Sequence, residues 1–395
     1  MTPVAAQQES AAARPSERPA ARPASSARGL TITRVSTYLL SIPPRQRAIG
    51  DAQQKRVEAV EFVLVRLDTD AGPSGWGFNW NYTKGTRAVK VMIDDAYAPV
   101  LVGRDPADRE QLSKDLLSQT HFIGRLGVAR VGVSAINLAL WDLHCKQLGQ
   151  PLWKVLGGTR QRIKAYNTDG GWLTMSTAEL VEDMQRLVAR GFDRVKMKIG
   201  LPDPREDYAR VKAVRQAIGD DIGLMVDVNT CWDLKTALRW GRKLEEFRLE
   251  WLEEPLPPFD VRAHARLAKA LEVPIAVGET LYTAEMFEEF LRAGAVEIVQ
   301  ADVTKLSGIE EWLQVAALAK AHRVPVVPHT NVQQNVHVQL AAATPHVPMV
   351  EYCYESLADI WKEPLTVQDG HYSLPQEPGV GCEMKPEIVE RYRVA

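Results

Sequence analysis

From Lys164 onward the hydrophobic positions fall into short strand-like runs, near 163–168, 193–199, 222–228, 249–253, 274–278, 296–301, 324–328 and 348–353. Stretches with helical spacing separate at least the first seven. One helix start is explicit, since Ser176-Thr-Ala-Glu179 has the form of a capping box. Strands alternating with helices over so long a stretch predict a closed parallel (β/α) barrel rather than an open doubly wound sheet. No GxGxxG follows the first of these strands, which argues against a dinucleotide fold. The preceding part reads differently. Leu30–Ile42 and Val60–Leu67 are strand-like, the second ending in Asp68-Thr-Asp-Ala-Gly72. A third short run covers 74–80, residues 45–58 are loop-like, and helical spacing holds from about Arg87 to Leu156. Strands followed by helices predict a separate α+β domain.

The expected division is a disordered tail over 1–29, an α+β unit over 30–160, and a barrel over 161–359. The tail is rich in Ala, Pro, Ser and Arg and has no apolar core of a secretory signal. The 395 residues carry a net charge of −2, which gives no reason to expect nucleic acid or a membrane as partner. Cys145, Cys231, Cys353 and Cys382 form no CxxC pair and read as free thiols, consistent with a cytoplasmic protein.

The candidate chemistry sits where the strands end. Asp227, Glu253 and Glu279 follow one another at equal intervals of 26 residues, one βα unit each. In a closed barrel such ends converge, and three converging carboxylates call for a hard cation such as Mg²⁺. Lys196 and Lys198 share a strand face, as do Asp227 and Asn229, because side chains alternate along a strand. Asp302 and His329 lie 27 residues apart, which puts a carboxylate beside an imidazole on the neighbouring strand. Glu351 closes the series. A single acid at a strand end is often only a helix cap, but so many polar residues in strand order are not accounted for that way. Glu254 points away from Glu253 and is expected to brace the next strand. Lys305, His337, His346, His144 and Cys145 are read as structural or solvated.

These residues, with Ala139-Leu-Trp-Asp-Leu143, Gly149-Gln-Pro-Leu-Trp-Lys-Val-Leu-Gly-Gly158, Trp251-Leu-Glu-Glu-Pro255 and Pro378-Gly-Val-Gly381, resemble the enolase superfamily in its mandelate racemase-like branch. The resemblance spans nearly everything from Leu30 onward. It implies a modified (β/α)₇β TIM-like barrel under an N-terminal α+β capping domain, with residues 360–395 packing back on the cap. It implies one Mg²⁺ per subunit on Asp227, Glu253 and Glu279. Lys198 is then a base on one face of a carboxylate's α-carbon, and the His329–Asp302 dyad serves the other. Lys196 and Glu351 flank the substrate carboxylate, Glu351 donating a hydrogen bond if protonated, and Lys198 needs a depressed pKa to act as a base. Lys or His bases with Mg²⁺ stabilising an enediolate are a property of that superfamily, not a reading from spacing.

Three fates follow such an intermediate: racemisation or epimerisation, loss of a β-hydroxyl, and cycloisomerisation. Tyr166-Asn-Thr-Asp-Gly-Gly-Trp-Leu173 looks like the galactarate/talarate-type acid-sugar dehydratases, which favours dehydration of a sugar acid or diacid. Arg45, Arg47, Trp80, Tyr82 and Lys84 in the capping loops, with Asn167 and Asn229, are the expected substrate contacts. A small carboxylate is the expected partner, and relatives of this kind usually form homo-oligomers.

Overall fold

The computed structural model describes residues 30–44, 50–53, 57–82, 84–353 and 355–394. The chain begins with an antiparallel sheet of β1 (Ile32–Ile42), β2 (Val60–Thr69) and β3 (Gly75–Asn81), in that order. The helix Val128–Gln147 packs across it. At Gly77 a Cβ would lie 2.1 Å from the Ala135 carbonyl oxygen, so only glycine lets strand and helix approach this closely. The expected continuous helical span is broken into pieces: Thr86–Val91, a π turn at Met92–Tyr97, Ala98–Leu101, Arg109–Ser118 and Val128–Gln147. Pro99 and Pro106 each remove a backbone donor, and Gly103 adopts φ 87° between them.

The second sheet runs β4 (Arg162–Asn167), β5 (Arg194–Lys198), β6 (Gly223–Asp227), β7 (Leu252–Glu253), β8 (Ile275–Val277) and β9 (Ile298–Val299), all parallel in neighbouring pairs. The run expected at 324–328 forms a single bridge, Val299 to Val326. β10 (Met349–Tyr352) pairs with β4 and returns the sheet to its start. Beside the short bridge the ring is held by side chains. Thr330 gives its N–H to Glu351 Oε2 at 2.8 Å and its hydroxyl to the Glu351 carbonyl at 2.9 Å. Two short strands, β11 (Val367–Gln368) and β12 (His371–Ser373), form a hairpin whose second strand pairs antiparallel with the start of β4.

Alternation sorts the barrel interior into layers. Tyr166, Met225, Trp251, Ala276, Ile298, Val327 and Met349 form one apolar cluster. The inward residues one step along the same strands are Thr168, Asp227, Glu253, Gln300, His329 and Glu351, so an apolar floor lies under a polar layer. Each large side chain sealed in that floor contributes about 1.5–3 kcal/mol.

The first unit is tied to the barrel at several points. Asn79 Nδ2 donates to the Thr304 carbonyl at 2.7 Å, and Ser134 Oγ to the Val303 carbonyl at 2.9 Å. Arg130 Nη1 reaches Ser307 Oγ and Glu311 Oε2, both at 2.6 Å. The C-terminal segment returns to the first sheet, where Trp361 packs on Phe78 with ring centroids 4.8 Å apart. The Val394 N–H donates to the Leu39 carbonyl at 2.8 Å, covering the free edge of β1. Among the described residues no helix is long and apolar enough to cross a membrane.

Candidate active site

Lys198, Asp227 and Glu253 are the last residues of β5, β6 and β7, and Glu279 lies two residues beyond β8. Gly278 sets up that last turn, since a Cβ there would lie 2.6 Å from the Gln300 carbonyl carbon. Asn229, Thr230 and Glu254 have φ of 47°, 61° and 41°. Left-handed backbone at a β-branched threonine is costly, and such strain gathers where strand ends are bent around a site.

Asp227, Glu253 and Glu279 each present a carboxylate oxygen within 4.8 Å of the others. Asp227 and Glu253 are fully buried. Trp251 Nε1 and Gln300 Nε2 donate to Glu253 Oε2 at 2.9 and 2.7 Å and fix its orientation. Burial raises the Glu253 pKa to about 7; Lys196 offsets part of this, and Asp227 and Glu351 add to it. Lys196 and Lys198 lie against Glu253 and Asp227, and His329 against Glu279, which balances part of this negative charge. An all-oxygen donor set of this spacing, with mutually repelling carboxylates, fits a hard divalent cation.

Lys196 is buried and also meets Glu351 Oε1 at 3.0 Å. Burial favours its neutral form, but Glu253 and Glu351 outweigh that and keep it a cation. Burial and Lys196 lower the Lys198 pKa, but Asp227, with Glu279 and Asp51, raises it above its ordinary value, so the protein's own carboxylates favour the charged amine. Glu351 is raised by burial but pulled below its ordinary value by Lys196 and His329. It accepts from Lys196 and from the Thr330 N–H.

His329 Nδ1 lies 2.9 Å from Asp302 Oδ2. Its Nε2 is 3.2 Å from Glu279 Oε2 and 3.0 Å from Asn331 Nδ2. Burial lowers the imidazole pKa, while Glu279 and Asp302 raise it to about 9. Asp302 is raised by burial but brought down to about 2 by His329.

An inner cavity of about 30 Å³ is lined by Lys198, His329, Asn229, Glu279 and Glu351, with Thr168 and Trp172. It adjoins an outer cavity of about 220 Å³ bounded by Asp51, Gln53, Trp80, Tyr82, Tyr282 and Lys305. Trp80 stacks near His329 with ring centroids 6.4 Å apart, and Tyr82 meets Trp80 at 4.9 Å.

The structure therefore brings together Lys196, Lys198, Asp227, Asn229, Glu253, Glu279, Asp302, His329 and Glu351, with Trp80 and Tyr82 at the mouth. Arg45 and Arg47 lie outside the described residues. Lys84 does not face the cavity: its side chain is 95% exposed and pairs with Glu61 at 3.3 Å. Asn167 is fully buried on the opposite face of β4 from Tyr166, its Oδ1 accepting from the Asp169 N–H at 2.7 Å. By alternation Thr168 takes the place expected of it. Lys305, read as structural, lines the outer cavity instead, and Asp51 was missed. Asn331 and Gln333, also missed, follow His329 in steps of two, a signal that could have found them. Glu254 braces the next strand end as expected, accepting from the Gly278 N–H at 2.9 Å and from Thr280 Oγ1.

Residues 31–157 match the mandelate racemase/muconate lactonizing enzyme N-terminal domain, and residues 179–388 match the enolase C-terminal domain-like family. L-talarate/galactarate dehydratase from Salmonella typhimurium is 35% identical over 88% of this chain and 86% of its own. Arabinonate dehydratase from Saccharolobus solfataricus is 34% identical over 85% and 91%. So is 3,6-anhydro-alpha-L-galactonate cycloisomerase from Streptomyces coelicolor, over 92% and 99%. The crystal structure of the Salmonella dehydratase liganded with Mg and L-lyxarohydroxamate superimposes with a TM-score of 0.88 at 32% identity, covering 97% of this chain and 98% of that one.

Proposed function

This chain belongs to the enolase superfamily, in its mandelate racemase/muconate lactonizing enzyme branch, and from that premise we propose that it is a Mg²⁺-dependent acid-sugar dehydratase. The observation that carries the reading is one cavity joining Lys198 and the His329–Asp302 dyad beside a three-carboxylate cluster. Curated relatives include both dehydratases and cycloisomerases, so enzyme chemistry on a small acid rests on the family and dehydration on this proposal.

Asp227, Glu253 and Glu279 would hold the Mg²⁺. Bound there, the ion supplies positive charge that stabilises an enediolate and takes up carboxylate charge now shared with Lys196 and Lys198. Lys196 stays charged and binds the substrate carboxylate. Lys198, freed from Asp227, or His329 Nε2 accepts the α-proton as the C–H electron pair moves into the carboxylate. The β C–O bond then breaks, and the hydroxide leaves as water with a proton from His329. Asp302 holds the Nδ1 proton throughout, so that Nε2 alone exchanges protons with substrate. The resulting enol tautomerises to a 2-keto-3-deoxy acid. Residues 30–160, with the C-terminal segment, would act as the cap that closes the barrel mouth and excludes water.

The test is a screen of the purified protein with Mg²⁺ against mono- and diacid sugars, reading 2-keto acids with semicarbazide. A product abolished by EDTA and by His329→Asn supports dehydration. Conversion to an epimer or lactone without a 2-keto acid replaces it with isomerisation, and no conversion of any sugar acid contradicts the substrate class.

A further inference from the structure

Lys305 is not used by the chemistry above, and its surroundings are unusual. It is the only lysine or arginine among the described residues that line the outer cavity. No carboxylate of the described residues pairs with it. Its Nζ instead lies 5.3 Å from the centroid of the Trp80 ring, within cation–π range. Trp80 in turn stacks near His329, so one aromatic ring neighbours both the ammonium and the reactive imidazole.

The loop that carries it is pinned. The Lys305 and Leu306 N–H groups both donate to the Asp302 carbonyl, at 3.1 and 3.2 Å. On either side, the Val303 and Thr304 carbonyls and the Ser307 hydroxyl bond to Ser134, Asn79 and Arg130 of the first unit. A half-buried ammonium on a fixed loop, facing a cavity and lacking an anion, is arranged to meet one from outside. The acids near it are engaged elsewhere. Glu279 belongs to the carboxylate cluster, and Asp51 also lines the inner cavity, where its charge acts on Lys198. A carboxylate bound at the inner end leaves the rest of its carbon chain in the outer cavity of about 220 Å³, with Lys305 on that cavity's wall.

We propose that Lys305 receives the far carboxylate of a sugar diacid and so makes the site prefer diacids to the matching monoacids. This deepens the dehydratase reading and rests on it. Lys305→Met keeps the alkyl stem over Trp80 and removes the charge. Two matched pairs serve as probes: galactarate with galactonate, and glucarate with gluconate. Each is followed in the presence of Mg²⁺ by 2-keto acid formation and, independently of turnover, by calorimetric binding. The wild type should bind the diacid of at least one pair roughly 10- to 100-fold more tightly than its monoacid, the range of a charged hydrogen bond. Lys305→Met should erase that preference through KM, leaving the monoacid within about threefold. A preference that survives in the variant, its absence in the wild type, or an equal loss for both acids overturns the proposal. If neither acid is turned over, the binding preference still decides the role of Lys305, while the wider sugar-acid screen decides the dehydratase reading. Absence of binding by all four acids overturns the proposal for Lys305.

Discussion

Asp302 is fully buried and accepts four hydrogen bonds. Thr304 supplies its N–H and its hydroxyl to Oδ1 at 2.8 and 2.7 Å, and Gln333 Nε2 and His329 Nδ1 reach Oδ2 at 2.8 and 2.9 Å. A carboxylate can accept all four, but an amide cannot. In Asp302→Asn the new NH₂ faces either the Thr304 donors or the Gln333 and His329 donors. It therefore breaks that side of the network or turns the imidazole to its other tautomer. Turnover should fall by about 10³-fold or more, as when the carboxylate of a catalytic imidazole is amidated elsewhere, with KM changed only a few-fold. Steady-state kinetics on the substrate found in the screen check this, and a loss under tenfold contradicts the role given to Asp302. The same arrangement explains why the dyad reads directly from sequence. Both partners lie on inward positions of neighbouring strands, and one βα unit fixes their separation.

At the scale of elements, the turn after β5 is held by Asp207 in the helix Pro204–Ile218. Its Oδ2 accepts the Gly200 and Leu201 N–H groups, both at 2.9 Å, while Oδ1 has no hydrogen-bond partner among the described residues. Burial raises its pKa from 3.8 to about 6, against the lowering by the two N–H groups. A carboxyl raised in the folded state favours folding most below pH 3.8, and that advantage is lost as pH rises to about 6. Asp207→Asn keeps an acceptor for both N–H groups and cannot ionise. Its stability relative to wild type should rise by about 1–3 kcal/mol between pH 4 and pH 7, read from urea unfolding at each pH; a difference that stays flat across that range contradicts the account. Elements also set the limit of what the sequence discloses. Alternation placed Lys196, Lys198, Asp227 and Asn229 because it holds along an extended strand. It no longer applied at Lys305, three residues beyond Asp302 in a turn closed on the Asp302 carbonyl. Nor did it reach Lys84, beyond the end of β3, or Asp51, which meets the site only through the packing of distant segments. At Asn167 the rule was available, and the inward Tyr166 shows that it pointed to Thr168.

Across the whole molecule, the barrel supplies the reactive groups and the first unit supplies the wall above them. The hydrogen bonds from Asn79, Ser134 and Arg130 all land on the stretch 303–311, next to Asp302. The barrel order was legible because each strand repeats the same apolar-to-polar pattern. The single bridge at Val326 and the return of the C-terminal segment to β1 depend on long-range packing, which no local pattern encodes. The central claim is that this assembly moves a proton from the carbon next to a carboxylate to Lys198 or His329. Its most direct measurement is NMR of a sugar acid in D₂O with the wild type, Lys198→Ala, His329→Asn and the double variant, each with Mg²⁺ and with EDTA. The account predicts loss of the α-proton signal, by exchange or by elimination to a 2-keto acid carrying deuterium at C3, in the wild type with Mg²⁺. It predicts neither in the double variant nor in EDTA. An α-proton lost as quickly by the double variant as by the wild type would contradict it.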